Sequence, residues 1–152
     1  MTADSSLVSI HCIGLVGAGQ MGRGIAQIAA QAGLDVVVLD ASETLAEQAV
    51  DRIGRALDRL VSKEKMTAAE RDAVVARILP RSRFEDLERC DFIIEAAPER
   101  EDLKLDLFDK LRPNLRPEQT IIIRSTVFPR TNAKVKEALE TDGKRWKVAY
   151  AP

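Results

Sequence analysis

The sequence predicts an α/β fold built on a doubly wound parallel sheet, and three observations lead there. Short runs of continuous apolar residues recur along its 152 residues. Stretches with helical periodicity separate them. A glycine-rich turn, "GAGQMG" at residues 17–22, joins the first run to the first helical stretch. Unbroken apolarity suits strands covered on both faces, as parallel sheets require.

The elements follow in order. "LVSIHCIGLV" (7–16) reads as the first strand, stopping at Gly17. From Gln20 the pattern turns helical, with Met21, Ile25, Ile28 and Ala29 on one predicted stripe and Gly33 as the stop. "LDVVVLD" (34–40) reads as a second buried strand. Ser42 is a candidate cap for a long helix striped by Leu45, Ala49, Ile53, Leu57 and Leu60. "TAAE" (67–70) matches a capping box and opens a further helix through Val74, Val75 and Ile78, ended by Pro80. Residues 42–79 thus form a helical-hairpin insertion after the second strand. "CDFIIEAA" (90–97) reads as another strand, and Leu103, Leu107, Phe108 and Leu111 stripe the next helix. Pro113 and Pro117 frame a loop. "TIIIRSTV" (120–127) is a strand, "TNAKVKEALE" (131–140) a helix, and "KVAYAP" (147–152) a final strand.

The length suits one domain, residues 1–152, with a core of its own. With 23 basic and 24 acidic residues the net charge is −1, so no basic excess points to nucleic acid or anionic lipid. No apolar run approaches the ~20 residues of a membrane span, and the N-terminus lacks the pattern of a secretory signal. Cys12 and Cys90 both fall in apolar, strand-like segments. They read as reduced core residues rather than a disulfide, which favours a cytoplasmic setting.

The glycine turn carries the chemistry. Gly17, Gly19 and Gly22 are spaced G-x-G-x-x-G, between a strand and a helix in a unit that closes with another strand. The first glycine permits the tight turn, the second lets backbone approach a pyrophosphate, and the third lets helix and strand pack closely. The helix start, with Ala18, Gln20 and Met21 beside the glycines, offers free amides and a positive dipole end to phosphate. Asp40 ends the second strand, where a carboxylate accepts from an adenosine ribose and repels a 2′-phosphate. The expected cofactor is therefore NAD rather than NADP. The alternative is a glycine corner with nothing bound and Asp40 a solvated strand end.

"IGLVGAGQMGRGIAQIAAQAG…VVVLD", the hairpin "ALDRLVSKEKMTAAERDAVVARI" and "DFIIEAAPEREDLKLDLFDKL" together resemble the N-terminal, Rossmann-type domain of the 3-hydroxyacyl-CoA dehydrogenases. The likeness runs from about residue 10 to residue 120. It implies NAD-linked oxidation of the 3-hydroxyl of an acyl-CoA in fatty acid metabolism. It also implies that Ala96 lies beside the cofactor ribose and that Glu99 and Lys104 lie near the nicotinamide half. Lys63 matches a position that touches the CoA phosphates, for which a lysine point charge is suited. Glu99 as a first-turn acid and Lys63 or Lys104 as solvated helix lysines are the plainer readings of the same residues.

The resemblance breaks near the C-terminus. The family has "SNTS" where this chain reads "RSTV", so Arg124 and Ser125 stand where it has its serine and asparagine. Without a gap its active-site serine aligns with Arg124; a shift of one residue restores it as Ser125, a hydroxyl able to bind the substrate oxygen. The family's general base is the histidine of "GLHFFNP", and Val148 stands at about that place. The one histidine, His11, lies upstream of the glycine turn and reads as a packed or hydrogen-bonded structural residue. Alcohol oxidation by NAD needs a group to take the hydroxyl proton, and valine takes none. The tail "IIIRSTVFPRT…KVAYAP" is instead similar to the nucleotide-sugar (UDP-glucose type) dehydrogenases, which would put Ser125 and Thr126 near the nicotinamide. In both families a helical substrate and dimerisation domain follows. The chain is therefore expected to be a cofactor half, inactive alone, completed by a helical domain or a second copy in a homo-oligomer. A non-catalytic NAD-binding module remains the other reading.

Overall fold

The structure, a computed structural model, describes residues 9–98, 101–124 and 147–150. Six strands form one sheet: β1 Cys12–Val16, β2 Asp35–Leu39, β3 Ile78–Arg81, β4 Phe92–Glu95, β5 Thr120–Ile123 and β6 Lys147–Tyr150. Every pairing is parallel. The strand order is β3-β2-β1-β4-β5-β6, the doubly wound arrangement in which the direction of winding reverses between β1 and β4.

The continuous apolar runs are explained by two cores, one on each face of the sheet. Along β2, Val36 and Val38 face one core while Val37 and Leu39 face the other. The first core is closed by helices α1 Gln20–Gln31, α2 Glu43–Val61 and α3 Ala68–Ala76. The second is closed by α4 Glu101–Leu111 and the short 3-10 turns Phe84–Leu87 and Arg112–Asn114. With both faces covered, neither register of a strand can be polar.

The local signals act as their chemistry requires. Ser42 Oγ accepts from the Leu45 N–H at 3.3 Å and caps α2. Thr67 and Glu70 form a reciprocal capping box on α3. That bonding, the Thr67 N–H first, holds the Glu70 carboxyl below the usual range. Gly33, at φ +90°, ends α1 as the N–H groups of Gly33 and Leu34 turn back to the carbonyls of Ala30 and Ala29.

Five expectations need correction. The helix expected to run through Ile78 stops at Ala76, and Ile78 opens β3. Pro80 does not end a helix; it sits inside β3, which is tolerable because β3 is an edge strand with a partner on one side only. The stripe on α1 is also shifted. Met21 and Ile28 are 48% and 70% exposed, while Gly22, Ala26, Ala29 and Ala30 are buried. The helix lies so close to the sheet that only small residues fit beneath it. On α2, Leu45 is likewise exposed and Ala46 takes the inward place. His11 is not packed on a covered strand: it precedes β1 and is exposed, and its backbone N–H, not its ring, is the bonded group. The expected helix at 131–140 lies outside the described residues.

Asp91 ties β1 to β4 at the N-terminal edge of the sheet. Its Oδ2 accepts from the backbone N–H of His11 at 2.8 Å and of Cys12 at 3.0 Å, and its own N–H donates to the Cys12 carbonyl. The His11 N–H first, and then that of Cys12, hold its carboxyl below the ordinary range. A depressed carboxyl stabilises the fold above its unfolded value, about 3.9, and loses that effect as pH falls through the folded value. Asp91→Ala is therefore expected to cost about 1–3 kcal/mol at neutral pH in denaturant melts. The gap between variant and parent should close as the pH falls below the ordinary carboxylate range. A gap that widens on acidification would contradict this role.

Candidate functional site

A cavity of about 650 Å³ opens above the paired C-terminal ends of β1 and β4, where the winding reverses. Its floor is Val16, the turn Gly17–Ala18–Gly19 and the first residues of α1, Gln20 and Met21. Leu39, Asp40 and Ala41 form one side, Ala96, Ala97 and Pro98 another. Ser82 and Phe84, and Asp106, Leu107 and Lys110 from α4, complete the rim. The volume lies in the range of small-molecule and cofactor sites.

The turn has its shape because of what it must pass. Gly17 adopts φ +104°, a conformation side chains resist. A Cβ on Gly17 would lie 2.8 Å from the Ala96 carbonyl and the Ala97 nitrogen. A Cβ on Gly22 would strike the Gly17 carbonyl oxygen outright. Gly19 differs, since nothing lies within 4 Å of where its Cβ would be. The fold has no use for a bare residue there, but a group approaching the backbone from the cavity does. Gly19 is also the N-cap of α1 and has no side chain to bond the first amides. Those amides face the cavity end of the helix, together with the positive end of its dipole.

Asp40 fixes the turn from the side. Its Oδ2 accepts from the Ala18 N–H at 2.7 Å and its Oδ1 from the Ala41 N–H at 2.7 Å. Each carboxylate oxygen retains a further lone pair for an incoming hydroxyl. The Gly17 N–H donates to the Leu39 carbonyl at 2.9 Å, and Arg23 Nη1 donates to the Ala18 carbonyl at 3.2 Å. The guanidinium of Arg23 is thus held against the turn.

Beneath the Ala96–Ala97 wall lies an acid that the sequence reading passed over. Glu95 is fully buried; its Oε1 accepts from the Ala97 N–H at 2.8 Å, and its Oε2 is 3.8 Å from Lys104 Nζ. Lys104 is 1% exposed, so it is not a solvated helix lysine. It is not among the cavity-lining residues. An acid inside the apolar run "FIIEAA" was the available signal, because a charge on a two-faced strand needs a buried partner.

Of the other expected residues, Gly17, Ala18, Gly19, Gln20, Met21, Asp40 and Ala96 come together around the cavity, with Gly22 packed behind the turn. Lys63 sits in the exposed turn between α2 and α3, away from the cavity lining. Glu99 and Ser125 lie outside the described residues. Arg124 is half-buried just after β5, and its backbone N–H donates to the Glu95 carbonyl at 2.9 Å. Val148, at the expected histidine position, packs against the core shared by Ile121 and Ile123. Ser82, Phe84, Leu107 and Lys110 were not foreseen as lining; they come from segments whose sequence shows only ordinary loop and helix patterns. Among the described residues, no three His, Cys, Asp or Glu side chains gather to hold a metal ion.

Residues 12–141 match the family described as the 3-hydroxyacyl-CoA dehydrogenase, NAD binding domain. This chain belongs to that family. Its cofactor is accordingly NAD, and the open space at Gly19, the uncapped start of α1 and the Asp40 carboxylate fit it. A 3-hydroxybutyryl-CoA dehydrogenase of Bradyrhizobium diazoefficiens is 39% identical over 112 residues, covering 74% of this chain and 38% of that protein. A probable 3-hydroxybutyryl-CoA dehydrogenase of Deinococcus radiodurans is 38% identical, covering 78% of this chain and 42% of its own. The crystal structure of (S)-3-hydroxybutyryl-CoA dehydrogenase PaaH1 from Ralstonia eutropha superposes with a TM-score of 0.80 at 35% identity, over 87% of this chain and 46% of that one. FadB2 of M. tuberculosis gives 0.82 at 32% identity, over 93% and 48%. The chain thus spans less than half the length of these relatives.

The three glycines separate fold from binding. Gly19→Ala should leave the ligand-free melting temperature within about 2 °C. Its affinity for NAD should fall at least about tenfold, read by calorimetry. Gly22→Ala should instead cost about 2–4 kcal/mol of stability. Equal stability losses at the two positions would show that Gly19 serves packing.

Proposed function

We propose that this chain is the cofactor-holding part of an NAD-dependent dehydrogenase of the 3-hydroxybutyryl-CoA type. It would serve hydride transfer between NAD and the 3-hydroxyl carbon of an acyl-CoA. The observation that carries the proposal is the pairing of Gly19's open approach and the uncapped start of α1 with the Asp40 carboxylate, on one wall of one cavity. The amides of Gly19 and Gln20 at the uncapped start of α1 would hold the pyrophosphate. Asp40 accepts from the adenosine ribose hydroxyls while holding Ala18 in place. The wall Ala96–Ala97 is kept in position by the buried Glu95 and its Lys104 partner.

What the dinucleotide supplies there is a hydride acceptor or donor. The substrate proton needs a separate acceptor, and Val148 cannot provide one. The acceptor is therefore supplied from outside these residues, by a helical domain or by a second copy. Ser125 is assigned to the substrate oxygen and Glu99 to the nicotinamide side, each by the family pattern. Lys63, exposed at the hairpin tip, is assigned to the CoA phosphates as a point charge. A cytoplasmic setting is supported by the two free cysteines.

A second reading, a nucleotide-binding module without turnover, is favoured by the half-buried aliphatic Val148 at the histidine position. The two readings part on a chain completed by the substrate domain: oxidation of 3-hydroxybutyryl-CoA supports the first, and NAD binding without turnover the second.

NAD at about a hundredfold excess over its Kd should raise the melting temperature by about 5–10 °C, and NADP by clearly less. Asp40→Ala should narrow that difference; equal shifts in the parent chain would remove the ribose role of Asp40. Acetoacetyl-CoA reduction by these 152 residues should be undetectable, and robust NADH consumption would show that a proton donor is present after all.

A further inference from the structure

At the end of the sheet opposite the cavity, Cys12 and Cys90 meet. Their Sγ atoms lie 3.4 Å apart, both residues are buried, and both are free. They stand 78 residues apart in sequence, so only the β1–β4 pairing brings them together. Each backbone is tied down on its own. Cys12 is held on both sides by Asp91, through its N–H and its carbonyl. The Cys90 carbonyl accepts from Gln119 Nε2 at 2.6 Å and from Arg116 Nη2 at 3.2 Å. Its N–H donates to the Leu87 carbonyl at 3.0 Å. The missing side chain at Gly14 leaves room filled by Ile93 and Leu87, with the Cys90 sulfur 3.3 Å from where a Cβ would lie.

Two thiols packed in a core need no such asymmetry, yet these two are unequal. The hydrogen bond with Cys90, and then the charge of Arg89, draw Cys12 down to about 7, against burial and the opposing charge of Asp35. That same hydrogen bond, with burial and the charge of Asp91, moves Cys90 up. A thiol drawn down toward neutral pH is the more readily ionised of such a pair, and reactivity toward oxidants follows the thiolate. Cys12 retains 6% exposure, at the chain's entry to the sheet.

We propose that Cys12 and Cys90 form a redox-reactive dithiol that closes to an intramolecular disulfide on reaction with hydrogen peroxide. The Cys12 sulfur attacks one peroxide oxygen, the O–O bond breaks, and hydroxide leaves and is protonated to water. Cys12 is then a sulfenic acid. The Cys90 sulfur displaces its hydroxyl, which leaves as a second water with the Cys90 proton. The S–S bond forms as the S–O bond breaks, and the two electrons lost by the sulfurs are those gained by the peroxide. A disulfide bond is about 2.05 Å long, so the two sulfurs, 3.4 Å apart, must move closer for the bond to form. The resting state is the dithiol, so the site responds to peroxide without requiring an oxidising compartment.

The full chain is treated with excess hydrogen peroxide, quenched with an alkylating agent and mapped by mass spectrometry without reduction. The expected product is one molecule lacking two hydrogens, with the Cys12 and Cys90 peptides joined and neither sulfur alkylated. Oxygen added to Cys12 while Cys90 remains alkylatable overturns the proposal. So do two intact thiols, or disulfides found only between molecules. The mapping needs no variant, so it does not depend on a mutant folding. The oxidised chain should melt about 5–15 °C higher and return to its original value with dithiothreitol. An unchanged or lower melting temperature would show that these backbones do not accommodate the bond. Cys12→Ser should leave Cys90 unoxidised and leave NAD affinity unchanged within about twofold, because Cys12 lies at the far end of β1 from Gly17.

Discussion

The backbone of Gly17 passes so close to that of Ala96 and Ala97 that no side chain fits between them. The site depends on this contact. It closes the first strand onto the fourth at the place where the winding reverses, and it aims the start of α1 into the gap. Gly22, pressed against the Gly17 carbonyl, extends the constraint into the helix. That closeness also explains why α1 lies on the sheet through Gly22, Ala26, Ala29 and Ala30, with larger residues turned outward. Asp40 then adds an electrostatic lock, binding the Ala18 amide from the neighbouring strand.

Elements whose pattern is set by one dominant force could be read from the sequence. The buried strands were visible because both faces must be apolar, and the caps at Ser42 and Thr67 because their chemistry is local. The glycine turn and Asp40 were visible for the same reason, since spacing and residue type specify them together. Failures came where tertiary context decides. β3 carries a proline and follows a helix directly, so its four residues look like a helix end. Only its place beside β2, at the edge, makes it a strand. Met21 and Ile28 fit a helical stripe, but close packing against the sheet selects alanine and glycine instead. Lys104 looked like any surface lysine, because the acid that accompanies it lies on a different element.

The sheet separates two kinds of chemistry by its polarity. At the C-terminal ends of the strands, backbone amides and the Asp40 carboxylate are presented to a cavity whose rim also carries Asp106 and Lys110. At the N-terminal ends, Asp91 and a pair of thiols join the same two strands. The position that supplies a base in the family pattern is taken up by Val148, a half-buried aliphatic side chain packed against a core.

Amide resonances read the binding surface residue by residue. In a titration of the isotopically labelled chain with NAD, the account predicts the largest shifts at Ala18, Gly19, Gln20, Met21 and Ala41. The hairpin tip around Lys63 should remain unmoved. Saturable binding that leaves the glycine-turn amides in place, with its shifts gathered elsewhere, would contradict the account.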